Sequence, residues 1–311
     1  MDIIATIAGL AALFIGGEWL VRGAVSAARA LGVSRLLIGL TIVAASTSSP
    51  ELLVSLRAAV DGHPDIAVGN VVGSNIANIA LVLGLCALIS PIRIEPARIR
   101  PDVVAGLSGA LAVGVLAVLA RAPVWAGALL LAAGVAHTAA AYQRSRTDTD
   151  EHEDVADEIP QIAGWLGMVV RIAGGVALLA VGADWLVWGA KSIALDFGVP
   201  EAAIAVTLVA VGTSLPEIAT SLVAAWRGHS EVAVGNAIGS NVFNIFGVLG
   251  FTAAVAPVPI AGRFLTFEIP VLLAFTAVAG WALAVRGRMG RAVGAALIAV
   301  YAGYVVATFM R

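Results

Sequence analysis

Charge is scarce in this chain. Of its 311 residues, 12% are Asp, Glu, Lys or Arg while 60% are hydrophobic, and the mean hydropathy is +0.99. Soluble domains carry about a quarter charged residues, so the composition excludes a soluble fold and reads as an integral membrane protein. Cysteine is nearly absent. The single Cys86 lies in an apolar segment, so an internal disulfide is excluded and the residue reads as packing material. Histidines number four: His63 and His229 stand in short connections and read as loop caps, whereas His137 and His152 belong to no pattern. With no clustered sulfur or imidazole, zinc and copper sites are not expected. A net charge of −2 without a basic stripe excludes nucleic acid as a partner. No nucleophile–base set and no phosphate loop is found, so neither enzymatic activity nor a cofactor is expected. The opening MDIIATIAGL lacks the basic stretch of a cleaved signal, so the first span is expected to be retained.

What is present is apolar and continuous. A membrane-spanning helix needs about 20 such residues, and runs can be placed at 3–31, 35–60, 64–90, 101–119 and 123–142, then at 162–196, 201–226, 230–256, 264–285 and 291–309. A β-barrel would alternate polar and apolar positions instead. The expected fold is an all-α integral membrane protein of ten transmembrane helices. A first five-helix unit covers 1–142 and a second covers 161–311. Between them, 143–160 is strongly hydrophilic and carries Asp148, Asp150, Glu151, Glu153, Asp154, Asp157 and Glu158. It reads as a solvated linker, since its spacing matches no calcium loop. Most arginines flank one set of loops, which by the positive-inside rule makes the linker cytoplasmic and puts both termini outside a cell membrane.

Self-comparison carries the argument further. Shifted by 166 residues, GGEWLVRGA (16–24) falls on GADWLVWGA (182–190), TIVAASTSSPELLVSLRAA (41–59) on TLVAVGTSLPEIATSLVAA (207–225), and GHPDIAVGNVVGSNIANI (62–79) on GHSEVAVGNAIGSNVFNI (228–245). Five spans per unit give the two copies opposite orientations. Such inverted repeats are typical of secondary transporters and place a binding site near the midplane at discontinuous helices.

The repeated phrases hold the polar atoms. Pro50 and Pro216 lack the N–H that a helix would give to carbonyls near Ser46 and Gly212, and free carbonyls within a membrane require a protein or ion partner. Glu51 and Glu217 occupy matching places in the two copies, and a carboxylate at that depth marks a functional site. Thr47 lies four residues before Glu51 and Thr213 four before Glu217, with Ser48 and Ser214 three before the same glutamates, so each set shares a helical face. The second phrase, GNVVGSNIAN (69–78) and GNAIGSNVFN (235–244), adds Ser74, Asn78, Ser240 and Asn244 at helical spacing, able to face the glutamates. Taken alone it could serve helix packing, with its amides as interhelical glue. Two carboxylates among hydroxyls, amides and loose carbonyls suit hard cations: Ca2+, Na+, Mg2+ or Mn2+.

These motifs resemble the α-repeats of the cation/calcium antiporter superfamily, whose sodium/calcium exchangers, prokaryotic ones included, carry GTSxPE followed by GNxxGSNxxN or its aspartate variant. The resemblance covers nearly the whole chain outside the linker. It implies that Glu51 and Glu217 are central ligands shared by Ca2+ and Na+, that Thr47, Ser48, Thr213 and Ser214 add hydroxyl or carbonyl oxygens, that Ser74, Asn78, Ser240 and Asn244 complete the Na+ sites, and that Ala44 and Ala210 lend carbonyls. It further implies that spans one and six slide as a gating pair. Ser46 and Ser49 depart from the second copy's Gly212 and Leu215. Asn244 stands where some relatives carry aspartate, which by resemblance favours potassium-independent exchange.

The expectation is therefore an antiporter exchanging Na+ for Ca2+ by alternating access at a shared site in the lipid bilayer, with no obligate protein partner evident. A Ca2+/H+ exchanger on the same fold is the alternative, and a cation channel the rival from another class. Glu18 and Asp184 form a second symmetric acid pair. An ion pair of Glu18 with Arg22 is expected, beside Trp19 and Trp185 as anchors.

Overall fold

The computed structural model describes residues 2–147, 164–196 and 212–310. Helices occupy the predicted apolar runs wherever these lie among the described residues. In chain order they are α1 (Asp2–Leu31), α2 (Arg35–Thr47), α3 (Ser49–Val60), α4 (Pro64–Ile89), α5 (Pro96–Val118), α6 (Val124–Thr147), α7 (Gly164–Asp196), α8 (Leu215–Trp226), α9 (Ser230–Val255), α10 (Arg263–Thr266), α11 (Glu268–Val285) and α12 (Arg291–Phe309). Eight of them are long and apolar enough to cross a membrane, and α2 with α3 makes a ninth, bent span. The span expected at 201–226 is described only from residue 212 onward, as α8, so a count of ten is not established. α6 runs to Thr147, past the start expected for the hydrophilic segment at 143. The rest of that segment, 148–160, lies outside the described residues.

Enclosure sorts the helices. In α4 and α9, 72% of the apolar stretch lies inside the molecule, against 11% in α12. The two copies of the GNxxGSN phrase therefore form the centre, and α12 faces outward with the apolar surface of a lipid-facing helix. α1 and α7 are 30 and 33 residues long and pack against each other along their length. At 1.5 Å per residue each spans about 45–50 Å, so they cross the apolar layer tilted.

α2 and α3 are separated by a 46° bend at Ser48. Ser48 leaves helical geometry (φ −87°, ψ 10°), and Pro50 then sits in the first turn of α3, where its missing N–H is tolerated. Ser214 repeats this at the start of α8 (φ −87°, ψ 1°), with Pro216 following. The predicted discontinuity is thus seen at the first phrase, and at the second α8 begins at the matching position, the residues before 212 lying outside the described ones. Wider π turns interrupt α2 at Gly39–Val43, α4 at Asn78–Leu83, α9 at Phe243–Leu249 and α11 at Trp281–Val285; such turns are frequent where a helix serves a site.

Among the described residues the loops add four two-residue strands that the sequence does not announce. β1 (Ile92–Arg93) pairs antiparallel with β4 (Arg288–Met289), and β2 (Arg121–Ala122) with β3 (Val258–Pro259). Each clip ties a loop of the first unit to one of the second.

Candidate cation site

The crossing of α2 over α9 brings the two units together. Gly39, Gly235 and Gly239 lie at the contact: a Cβ on Gly239 would stand 2.5 Å from Leu40 Cα, and one on Gly39 2.8 Å from Val232 O. Only glycine admits that approach, and it carries the broken end of α2 into the interior.

Both glutamates are fully buried, with 0% of either exposed. Their partners come from across the repeat. Ser48 of the first unit donates to Glu217 Oε1 of the second at 2.8 Å. Glu51 accepts from Ser74 at 3.4 Å, and Thr213 of the second unit stands near it. Ser214 donates to Ser74 Oγ at 3.5 Å, and Thr47 donates to Asn236 Oδ1 at 3.1 Å. Six of the expected residues (Thr47, Ser48, Glu51, Ser74, Ser214 and Glu217) are thereby drawn into one buried cluster. The Ala44 carbonyl lies beside it, accepting the Ser48 N–H at 2.9 Å, and is an alternative acceptor for the single Thr47 hydroxyl proton at 3.3 Å. Ala210 lies outside the described residues.

Asn78 stands one turn beyond Ser74 on α4, and Ser240 and Asn244 hold the matching positions on α9. All three are buried, yet none is hydrogen-bonded to a glutamate. Both amide atoms of Asn78 and of Asn244, the Ser240 hydroxyl and the second carboxylate oxygen of each glutamate find no hydrogen-bond partner among the described residues. A buried polar atom left in this way costs about 1–3 kcal/mol, and seven such atoms on the two phrases mark a place built to meet a polar guest. His, Cys, Asp and Glu nowhere gather in threes among the described residues. The set is two carboxylates amid neutral oxygens, which fits a hard cation coordinated by oxygen.

Sequence reasoning did not single out the braces beneath the glutamates. Asn70 donates to the Glu51 carbonyl at 3.0 Å and to Ser55 Oγ at 2.9 Å. Asn236 repeats this with the Glu217 carbonyl at 3.4 Å and Ser221 Oγ at 2.9 Å. Asn75 and Asn241 donate to each other's backbone carbonyls, at 3.2 and 3.1 Å. All three pairs are spaced by 166 residues, so the repeat carried the signal, but their hydrogen-bond roles appear only in three dimensions.

Other expectations are met or refined. Glu18 binds Arg22 at 2.6 Å and also Arg227 at 2.7 Å, which ties α1 to the loop after α8. Asp184 is exposed, so the two acids of that pair are not used alike. Trp19 and Trp185 both lie on the surface. His63 and His229 stand at the N-terminal ends of α4 and α9, where their backbone carbonyls accept from Ile66 and Ala233; neither side chain caps its helix. His137, patternless in sequence, stands 2.9 Å from the buried Asp102 and joins α6 to α5. Cys86 is fully buried among apolar side chains.

The sequence model of the family described as "Sodium/calcium exchanger protein" matches residues 1–140 and 167–310. A protein named putative antiporter CaxA, from Alkalimonas amylolytica, is 40% identical over 262 residues, covering 82% of this chain and 81% of its own. The sodium/calcium exchanger MaX1 of Methanosarcina acetivorans is 29% identical over 345 residues, covering 99% of each chain. In three dimensions the chain is similar to the solved sodium-calcium exchanger NCX_Mj, with a TM-score of 0.83 at 31% sequence identity over 100% of this chain and 99% of that one.

Proposed function

The chain belongs to the sodium/calcium exchanger family, and from that premise we propose that it exchanges Na+ for Ca2+ across a membrane at one shared site. Its relatives are exchangers and antiporters, so it is a transporter and not an enzyme. The observation that carries the finer reading is the pair of wholly buried carboxylates from opposed units, with Ser48 reaching across to Glu217.

In this reading Glu51 and Glu217 supply the charge that attracts a divalent cation. Thr47, Ser48, Thr213 and Ser214 turn hydroxyl or carbonyl oxygens to it, and the Ala44 and Ala210 carbonyls contribute beside them. Ser74, Asn78, Ser240 and Asn244 widen the ring to hold Na+. Ca2+ takes six to eight oxygens at about 2.3–2.6 Å, so it needs both glutamates together, whereas several Na+ divide the same oxygens among them. Competition for those oxygens couples the fluxes, provided that the doubly charged empty site resists crossing between the two accessible states. Two uncompensated carboxylates in low dielectric supply that resistance. The inverted units provide the two states, and the α1–α7 pair is the moving element. The hydrophilic segment lies on the cytoplasmic side and both termini lie outside.

Proteoliposomes loaded with Na+ and diluted into Na+-free buffer test this directly. Uptake of 45Ca2+ is expected to require internal Na+, and in Glu51→Gln and Glu217→Gln to fall by at least ~100-fold, the loss on removing one partner from a buried charge set. Uptake driven by a pH gradient without Na+ would overturn the choice of driving ion in favour of Ca2+/H+ exchange.

A further inference from the structure

The two strand clips are counterparts under the repeat. β1 follows α4 and β2 follows the next span, α5, so the clips stand at opposite ends of the bundle. With a shift of 166–167 residues, Arg93 corresponds to Pro259, Arg286 to Leu119 and Arg288 to Arg121. The register therefore sets Arg121 against Pro259 in one clip and Arg288 against Arg93 in the other. Like charges directly opposite on a strand pair are destabilising. The first clip forms from the same backbone with a single arginine, so the scaffold itself does not need the second clip's three.

The arginine-rich clip also borders an open cleft. This cleft, of about 530 Å³, is lined by Arg93, Arg286 and Arg288, with Glu95 and Glu231 among its other walls. Both acids are engaged by Arg98, at 3.0 Å from Glu95 and 3.9 Å from Glu231. The three arginines make no ion pair among the described residues. Arg286 stacks over the Trp281 ring at 4.8 Å, which holds its stem in place. Gly287, at φ +64°, turns the chain between Arg286 and Arg288. A Cβ there would meet Ile94 O at 2.8 Å, and Ile94 N–H donates to the Gly287 carbonyl at 2.9 Å. Just ahead of the two strands, Leu88, Ile89, Trp281 and Val285 are exposed, so apolar surface leads up to the cleft from the helices.

We propose that this cleft binds a phosphate-bearing anion, held by Arg93, Arg286 and Arg288. The guanidinium fork matches phosphate oxygens in pairs, and an anion between Arg93 and Arg288 relieves their opposition. A basic pocket between helices at a membrane surface suits the headgroup of an anionic phospholipid; a soluble phosphate offers the same chemistry.

The test uses the full chain in detergent, relipidated with phosphatidylcholine and phosphatidylglycerol and then repurified. Retained lipid is counted by native mass spectrometry, and melting is followed with added phosphatidylglycerol or inorganic phosphate. Phosphatidylglycerol is expected to be retained and to raise the melting temperature in the wild type and in Arg121→Gln at the opposite clip. Each of Arg93→Gln, Arg286→Gln and Arg288→Gln is expected to weaken retention about fivefold. Protection by inorganic phosphate, lost in the same three variants, would assign the site to a soluble anion. Retention and protection unchanged in all three variants would overturn the proposal. Arg93, Arg286 and Arg288 are all exposed, so none of the three replacements empties a buried position, and any variant that melts as the wild type does without lipid carries the test.

Discussion

At the scale of single residues, the site owes its form to groups that would touch no ion. Asn236 fixes the backbone of Glu217 and the Ser221 hydroxyl with one amide nitrogen, and its oxygen accepts from Thr47 of the opposite unit. Replacing it with alanine should free the Glu217 carbonyl while leaving the proposed ligand set intact. Groups that orient ligands in this way are worth about 10–100-fold in metal affinity. Asn236→Ala is therefore expected to weaken Ca2+ dependence of uptake by at least ~10-fold while the maximal rate changes less. An unchanged Ca2+ dependence would remove Asn236 from the positioning role. The glutamates themselves were legible in sequence, because a carboxylate inside a greasy run has few structural uses and this one occurs twice. The braces were not, since an asparagine in a buried helix can equally be interhelical glue. Only its distance to the Glu217 carbonyl separates the two uses.

At the scale of elements, the bend between α2 and α3 was readable from Pro50, and the start of α8 from Pro216. A proline removes one helical hydrogen bond and crowds the preceding turn; α5 absorbs Pro101 within its length, whereas Pro50 and Pro216 each lie two residues after a serine that leaves helical geometry. The crossing that delivers α2 to α9 was less so, because glycines in a membrane helix serve many contacts. Gly239 is the tightest point, its added Cβ falling 2.5 Å from Leu40 Cα, with backbone and not a flexible side chain in the way. Gly239→Leu should force α2 off α9, with a destabilisation of about 1–3 kcal/mol or more. Its melting temperature in detergent should fall by several degrees and uptake should be lost with it. A stable Gly239→Leu protein with normal uptake would contradict the packing described. The clips and the His137–Asp102 link escaped sequence reading for a related reason. Two-residue strands have no periodicity, and a lone histidine gains meaning only from the carboxylate that the fold sets beside it.

At the scale of the whole molecule, the 166-residue repeat made the architecture legible, since two copies separated by five spans must face opposite ways. The repeat also bears on energetics. If at least three Na+ cross for each Ca2+, at least one net charge moves per cycle, and each elementary charge is worth about 2.3 kcal/mol per 100 mV. Ca2+ flux in proteoliposomes clamped with K+ and valinomycin is therefore expected to respond to voltage, and a flux indifferent to voltage would rule that stoichiometry out. The claim beneath all of this is that one set of oxygens serves both ions. Equilibrium 45Ca2+ binding to the purified protein at rising Na+ tests it most directly. The account predicts that Na+ raises the Ca2+ concentration needed for half-saturation, leaves the binding capacity unchanged, and finds no specific binding to compete with in Glu51→Gln or Glu217→Gln. Na+ that lowers the capacity without shifting half-saturation, or Ca2+ binding that survives in both variants, would contradict a shared site.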